Sequence, residues 1–172
     1  MTVRLGLTRP QILAFRRHAG ELDTRLPPGQ DSLRRAAWAG LQDSMPRAAV
    51  LSIHARVEGT EPSTGPRVAA PARLLPSGDS FFLLQGADRE LLVPEADRRQ
   101  ALWTPRVWPG GLLLGGELAG TWRRAGTALT VQPWRQLSSA ERDAVVAEAE
   151  SLPLPTAGKR IVVRWADPAK AN

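Results

Sequence analysis

Gly110–Trp134 reads GGLLLGGELAGTWRRAGTALTVQPW, and its alternation decides how the chain folds. Leu112–Leu114 is an apolar run, Gly115-Gly116 a two-residue turn signal and Glu117–Arg124 a second run. Ala125-Gly126 then turns the chain into Ala128–Trp134. Glycine pairs between such runs mark hairpins, because glycine reaches the positive φ of the tight hairpin turns without a Cβ clash. Alternation places Leu118, Gly120 and Trp122 on one face and Thr121 and Arg123 on the other. Leu129 and Val131 share the apolar face, and Thr130 and Gln132 the polar one. The expectation is a half-buried antiparallel meander with an arginine-bearing outer face, flanked by helices.

Composition sets the outer bounds. A chain of 172 residues is one domain or two very small ones, and mean hydropathy of −0.24 is ordinary for a globular protein. No apolar run approaches the roughly 18 residues of a membrane span. The start, MTVRLGLTRP, has no secretory apolar region, so export is not expected. The absence of cysteine excludes disulfides and thiolate metal sites and fits the cytoplasm. His18 and His54, the two histidines, are too few for a typical zinc site without carboxylates. Neither a metal nor a cofactor is expected.

The formal net charge of +6 invites an acidic partner. Only two of the 23 basic residues are lysines, Lys159 and Lys170, and that skew also fits a GC-rich genome. Charge alone therefore does not choose between the two accounts.

The N-terminal part reads as helices. Thr8 caps a first helix through about His18, with Pro10 in its first turn. Asp31 or Ser32 caps a second, with Leu33, Ala37 and Leu41 as its apolar stripe and Arg34 and Arg35 at the rim. Asp43 or Ser44 caps a third, to about Glu58, with Val50, Ile53 and Val57 inward and Arg47, His54 and Arg56 on other faces. Two helices joined by a short capped turn form the skeleton of a helix-turn-helix, a unit also common in proteins that never touch DNA.

Gly59 to Arg73 is rich in proline and glycine and reads as a linker. Phe81–Leu84 and Glu90–Val93 are short enough for strands, Pro94 starts a helix to about Trp103, and Ser138-Ser139-Ala140-Glu141 is a capping box. Val145, Ala149 and Leu152 face the sheet from the helix it opens, and Ile161–Trp165 alternates as a last strand. The chain thus divides into a helix-turn-helix-like unit (1–58), a linker (59–73) and an α+β unit bearing the meander (74–172).

Generic catalytic signatures are missing: there is no phosphate-binding glycine loop, HExxH or GxSxG. Asp79, between Gly78 and Ser80, reads as turn chemistry and His54 as a partly buried, hydrogen-bonded residue. Trp103, Trp108, Trp122, Trp134 and Trp165 offer either a stacking platform for bases or the core of a sheet that lacks tyrosine.

Taken together, LTRPQILAFRR, LRRAAWAGLQDSMPRAAVLSIHARVEG, RLLPSGDSFFLL, ADRELLVP, LLLGGELAGTWRRAG and VQPW resemble the winged helix DNA-binding family that includes the AlkZ-like DNA glycosylases. The segments keep the family's order, and GTWR with LLPxxD carries most of the specificity. Family members have additional winged-helix units between the two blocks, where this chain has only Gly59 to Arg73, so it resembles an abbreviated homologue. The resemblance puts Gln42-Asp43-Ser44 at the glycosylases' Gln-x-Gln or Gln-x-Asp motif, which positions the attacking water. Gln42 is kept, whereas Ser44 is shorter than the residue it replaces and also suits a helix cap.

The resemblance implies an α+β protein of winged-helix type in the bacterial cytoplasm or nucleoid. Its expected role is weak, backbone-dominated binding of double-stranded DNA without catalysis. Arg34, Arg35 and Arg47 meet phosphates from the helical unit, and Arg123 and Arg124 from the meander. One alternative is a glycosylase excising alkylated or crosslinked bases, with Gln42 and Asp43 at its site, so whether the chain is an enzyme stays open. A degenerate, self-associating interaction module is the other.

Overall fold

The computed structural model describes residues 6–37, 48–60, 72–153 and 160–167. Its helices are α1 (Arg9–Ala19), α2 (Gln30–Ala37), α3 (Ala48–Arg56), α4 (Asp88–Leu92), α5 (Ala96–Leu102) and α6 (Ser139–Ser151). Its strands are β1 (Ala72–Leu75), β2 (Gly110–Leu114), β3 (Glu117–Ala125), β4 (Ala128–Pro133) and β5 (Val162–Trp165). They form one sheet in the order β1-β2-β3-β4-β5. The first four strands pair antiparallel, and β5 joins β4 in parallel after the crossover through α6. The α+β architecture expected from the alternation is the one observed.

The turns follow their glycines. Gly115 and Gly116 both take positive φ (56° and 88°), and Gly126 opens the next turn at 61°. In α6 the capping box forms as read: the Glu141 backbone N–H donates to the Ser138 hydroxyl, and the Ser138 N–H donates to the Glu141 carboxylate (3.2 and 2.9 Å).

Two apolar clusters sandwich the sheet. On one face Leu74, Leu112, Leu114, Trp122, Leu129 and Val131 pack with Val145, Ala149 and Leu152 of α6. On the other, Leu75, Leu113 and Leu118 pack with Leu13 of α1, Phe81, Phe82, Leu92 and Leu102. Helix α3 packs against β1 and sends Leu51 to the first cluster and Ala55 to the second. Both faces are therefore covered at β1, β2 and the start of β3, where a half-buried sheet is expected from the sequence.

A β-bulge explains part of that difference. Leu112 lies opposite Gly120, yet Leu113 lies opposite Leu118, so Ala119 is an extra residue in β3. The bulge turns Leu118 to the face opposite Trp122, away from the shared side that strict alternation predicts.

Other expectations are corrected by packing. Phe81–Leu84 forms a turn that plugs Phe81 and Phe82 into the second cluster, and the Glu90–Val93 stretch lies mostly in helix α4. Asp31 and Ser32 lie within the first turn of α2, and Ala36 is buried there while Leu33 is exposed. In α3 Val50 is exposed, and Leu51, His54, Ala55 and Arg56 are buried with Val57, because this helix meets three clusters at once. Ala72 and Arg73, at the end of the proline-rich stretch, belong to β1. No helix among the described residues is long and apolar enough to cross a membrane.

Candidate nucleic-acid interface

The motif glycines and acids first serve the fold. A Cβ at Gly120 would stand 2.5 Å from the Gln132 carbonyl oxygen, so GTWR needs glycine where β4 crowds β3. Trp122 donates its indole N–H to the Leu75 carbonyl (2.8 Å) and lies against Gly110, where a Cβ would meet the ring at 2.2 Å. Arg123, the last letter of the motif, is exposed.

Asp79 of LLPxxD makes the expected turn, with the Phe81 N–H donating to its carboxylate at 2.9 Å. The sequence does not disclose its second role. Its carboxylate is buried and accepts two hydrogen bonds from Arg56 (2.8 and 2.9 Å) and one from the Ser52 hydroxyl (2.7 Å). Burial pushes the Asp79 carboxyl up, but the Arg56 charge and these hydrogen bonds outweigh it and hold it below the usual carboxylate range.

A second buried assembly joins Arg25 to Glu148 of α6 at 2.9 Å. Glu148 also accepts from the Leu74 backbone N–H, and Arg25 lies 3.0 Å from Nε2 of His54. His54 is buried, with Thr60 at its Nδ1 and Ser151 at its Nε2. Its hydrogen-bonded character is as read from the sequence, though it is fully rather than partly buried. Among the described residues no group of three or more histidines and acids gathers to hold a metal.

The five arginines expected at DNA do not share one setting. Arg34 and Arg35 are exposed on α2 and each meets a carboxylate: Arg34 with Asp31 at 3.1 Å, Arg35 with Glu21 at 2.5 Å. Arg123 and Arg124 are exposed at the far end of β3 and meet only carbonyls, of Val107 and Gly126 respectively (2.9 Å each). Arg123 lies opposite Thr130 and Arg124 opposite Leu129, so the two neighbours point to opposite faces of the sheet. Arg47, Gln42, Asp43 and Ser44 lie outside the described residues.

The structure gathers cations that sequence reasoning missed. Thr130 lies opposite Arg164 of β5, which places Arg123, Thr130 and Arg164 in one row across three strands. Arg106 comes alongside Arg123 in an open concavity of about 450 Å³ lined by Thr104, Pro105, Arg106, Val107 and Arg123. None of Arg106, Arg123, Arg124, Arg160 and Arg164 is ion-paired among the described residues. Alternation in Ile161–Trp165 separates Arg164 from Trp165, but nothing local announces that β5 docks on β4. The tryptophans serve the core: Trp103 and Trp122 are buried, and Trp108, Trp134 and Trp165 pack partly buried against the two clusters.

The family model described as DNA glycosylase AlkZ-like matches residues 24–153. Among solved structures, the Streptomyces sahachiroi DNA glycosylase AlkZ matches at 23% sequence identity and a TM-score of 0.47, over 56% of this chain. The match spans 26% of that protein's chain, about a quarter of its length. No curated protein matches. With more than half of its length covered by the family model, the chain belongs to the AlkZ-like DNA glycosylase family.

Proposed function

We propose that this protein binds double-stranded DNA, chiefly through the sugar–phosphate backbone and without itself excising bases. Family membership supports a DNA partner. The observation that carries the backbone mode is the set Arg106, Arg123 and Arg164 at the β3–β5 end of the sheet, which face no carboxylate among the described residues, in a chain of net charge +6. Such groups exchange solution anions for phosphates at little cost, whereas an arginine already facing a carboxylate gains less. Of the two meander arginines expected at DNA, Arg123 is the leading contact, and Arg124, on the opposite face of the sheet, is not. Arg34 and Arg35 already face carboxylates and contribute little, and Arg47 is retained as a secondary contact.

The test is a salt series. Association with a mixed-sequence duplex is expected to fall linearly in log–log form as salt rises, with a slope set by the phosphates neutralised. An affinity that does not change with salt would reject backbone contacts. Replacing Arg123 with alanine weakens binding equally for unrelated sequences, and a loss confined to one sequence would mean base readout instead.

The family's description as a DNA glycosylase favours a second reading, base excision; the substrates proposed for it are alkylated or crosslinked bases, with Gln42 and Asp43 at the site. Excision from alkylated duplex by the wild type, lost in Gln42→Ala, would establish it. Background-level release by both would remove it.

A further inference from the structure

We propose that the uncovered face of β3, β4 and β5 is a one-sided phosphate track, on which Arg106, Arg123 and Arg164 take the DNA backbone and Arg124 does not. The inference rests on the DNA-binding reading and deepens it by naming the face.

Register fixes the face. Arg123, Thr130 and Arg164 are direct cross-strand neighbours, so their side chains leave the sheet on the same side. With strands about 4.8 Å apart, the two arginine Cα atoms are about 10 Å apart, a gap two guanidinium arms bridge easily. The adjoining row on this face is Ala125, Ala128 and Val162, so small or short side chains leave the arginines unobstructed. The second apolar cluster reaches only as far as the start of β3: Thr121 is buried, and Arg123, two residues on, is exposed.

The loop beside β3 completes the track. The Val107 carbonyl accepts from both the Arg123 guanidinium (2.9 Å) and the Thr104 hydroxyl (2.7 Å). That shared acceptor ties the 104–107 loop to the strand and holds Arg106 at the rim of the concavity. Arg123 is thus oriented before any ligand arrives, and Arg106 and Arg164 have no carboxylate partner among the described residues.

The opposite face is closed to the same ligand. Arg124 lies in a row with Leu129 and Val163 on the α6 side and bonds its own turn at the Gly126 carbonyl. Trp122 and Trp165 also belong to that side. Its contacts are with phosphate, and they are indifferent to sequence.

The experiment titrates the full chain with a labelled mixed-sequence duplex over a range of sodium chloride, comparing wild type with Arg106→Ala, Arg164→Ala, Arg123→Ala, Arg124→Ala and the double Arg34→Ala/Arg35→Ala. Each track variant is expected to lower affinity and to reduce the log–log salt slope by about one. Arg124→Ala and the α2 double variant leave the slope close to wild type. Arg106 and Arg164 are exposed and are in no ion pair among the described residues, so unchanged melting temperatures in their variants separate a binding loss from misfolding. Wild-type slopes in Arg106→Ala and Arg164→Ala, with losses in Arg124→Ala or the α2 variant, would overturn the face while leaving DNA binding intact. A wild type that binds no duplex at any salt would defeat the DNA-binding reading itself. Displacement of the duplex by polyglutamate at equal charge concentration would overturn the assignment to phosphate.

Discussion

On the helical side Arg9, Arg17, Arg34 and Arg35 each meet a carboxylate, and Arg25 and Arg56 make ion pairs that are almost wholly enclosed. At the β3–β5 end Arg106, Arg123, Arg124, Arg160 and Arg164 meet none among the described residues. One residue type therefore does two jobs in one chain. Where guanidinium groups are paired and enclosed, they hold the chain segments in register. Where they are unpaired and exposed, they add nothing to the core and leave a positive surface. Net charge sums all such groups and so does not say where on the surface the unpaired ones lie.

The comparison can be broken first at Asp79. Removing one partner of an enclosed ion pair strands the other, so Asp79→Ala is expected to lower stability by about 3–5 kcal/mol in urea unfolding. Replacing Asp79 and Arg56 together with apolar residues of similar volume is expected to recover much of that loss, since no charge is then left stranded. A single-variant cost below about 1 kcal/mol would show that Arg56 is not structural, and the contrast between regions would collapse.

Gly110→Ala comes next. The new methyl group would enter the Trp122 ring and crowd the Leu75 carbonyl, 2.6 Å away, so an overpacking cost of about 2–3 kcal/mol and a shifted tryptophan emission are expected. Ser138→Ala, which removes the α6 cap, is expected to cost about 1 kcal/mol in the same assay. The arginine variants of the strand face should, by contrast, change binding and leave these unfolding curves in place.

The smallest effect is a pH dependence. Hydrogen bonding to Arg135 and to the Ser138 backbone holds the Glu141 carboxyl at about 2, below its ordinary 4.5. A lowered carboxyl contributes stability that is present above the ordinary value and lost as pH falls through the folded one. Acid unfolding between those values should therefore flatten slightly in Glu141→Gln. Asp79 is also held low and contributes with the same sign.

The motifs that carry the family resemblance turn out to be structural where the structure describes them. Gly120 and Trp122 of GTWR make the sheet close, and Asp79 of LLPxxD locks α3 to the loop after β1. Their legibility in the sequence reflects strict steric and charge demands on single positions. Arg106 and Arg164 meet no such demand, and nothing in their local sequence marks them.

What the sequence determined by itself is local: the glycine turns of the meander, the Ser138–Glu141 capping box and the alternation that sets Trp122 against Arg123. These depend on residues a few positions apart, whose conformational preferences act before the chain is compact. Tertiary structure alone decided the bulge that turns Leu118 over, the enclosure of Arg56 with Asp79, and the docking of β5 that brings Arg164 into line with Arg123. Each of these joins surfaces that a local pattern cannot see. Their physical origin is shared: a guanidinium group seeks an acceptor and an apolar face seeks cover wherever the completed fold supplies them.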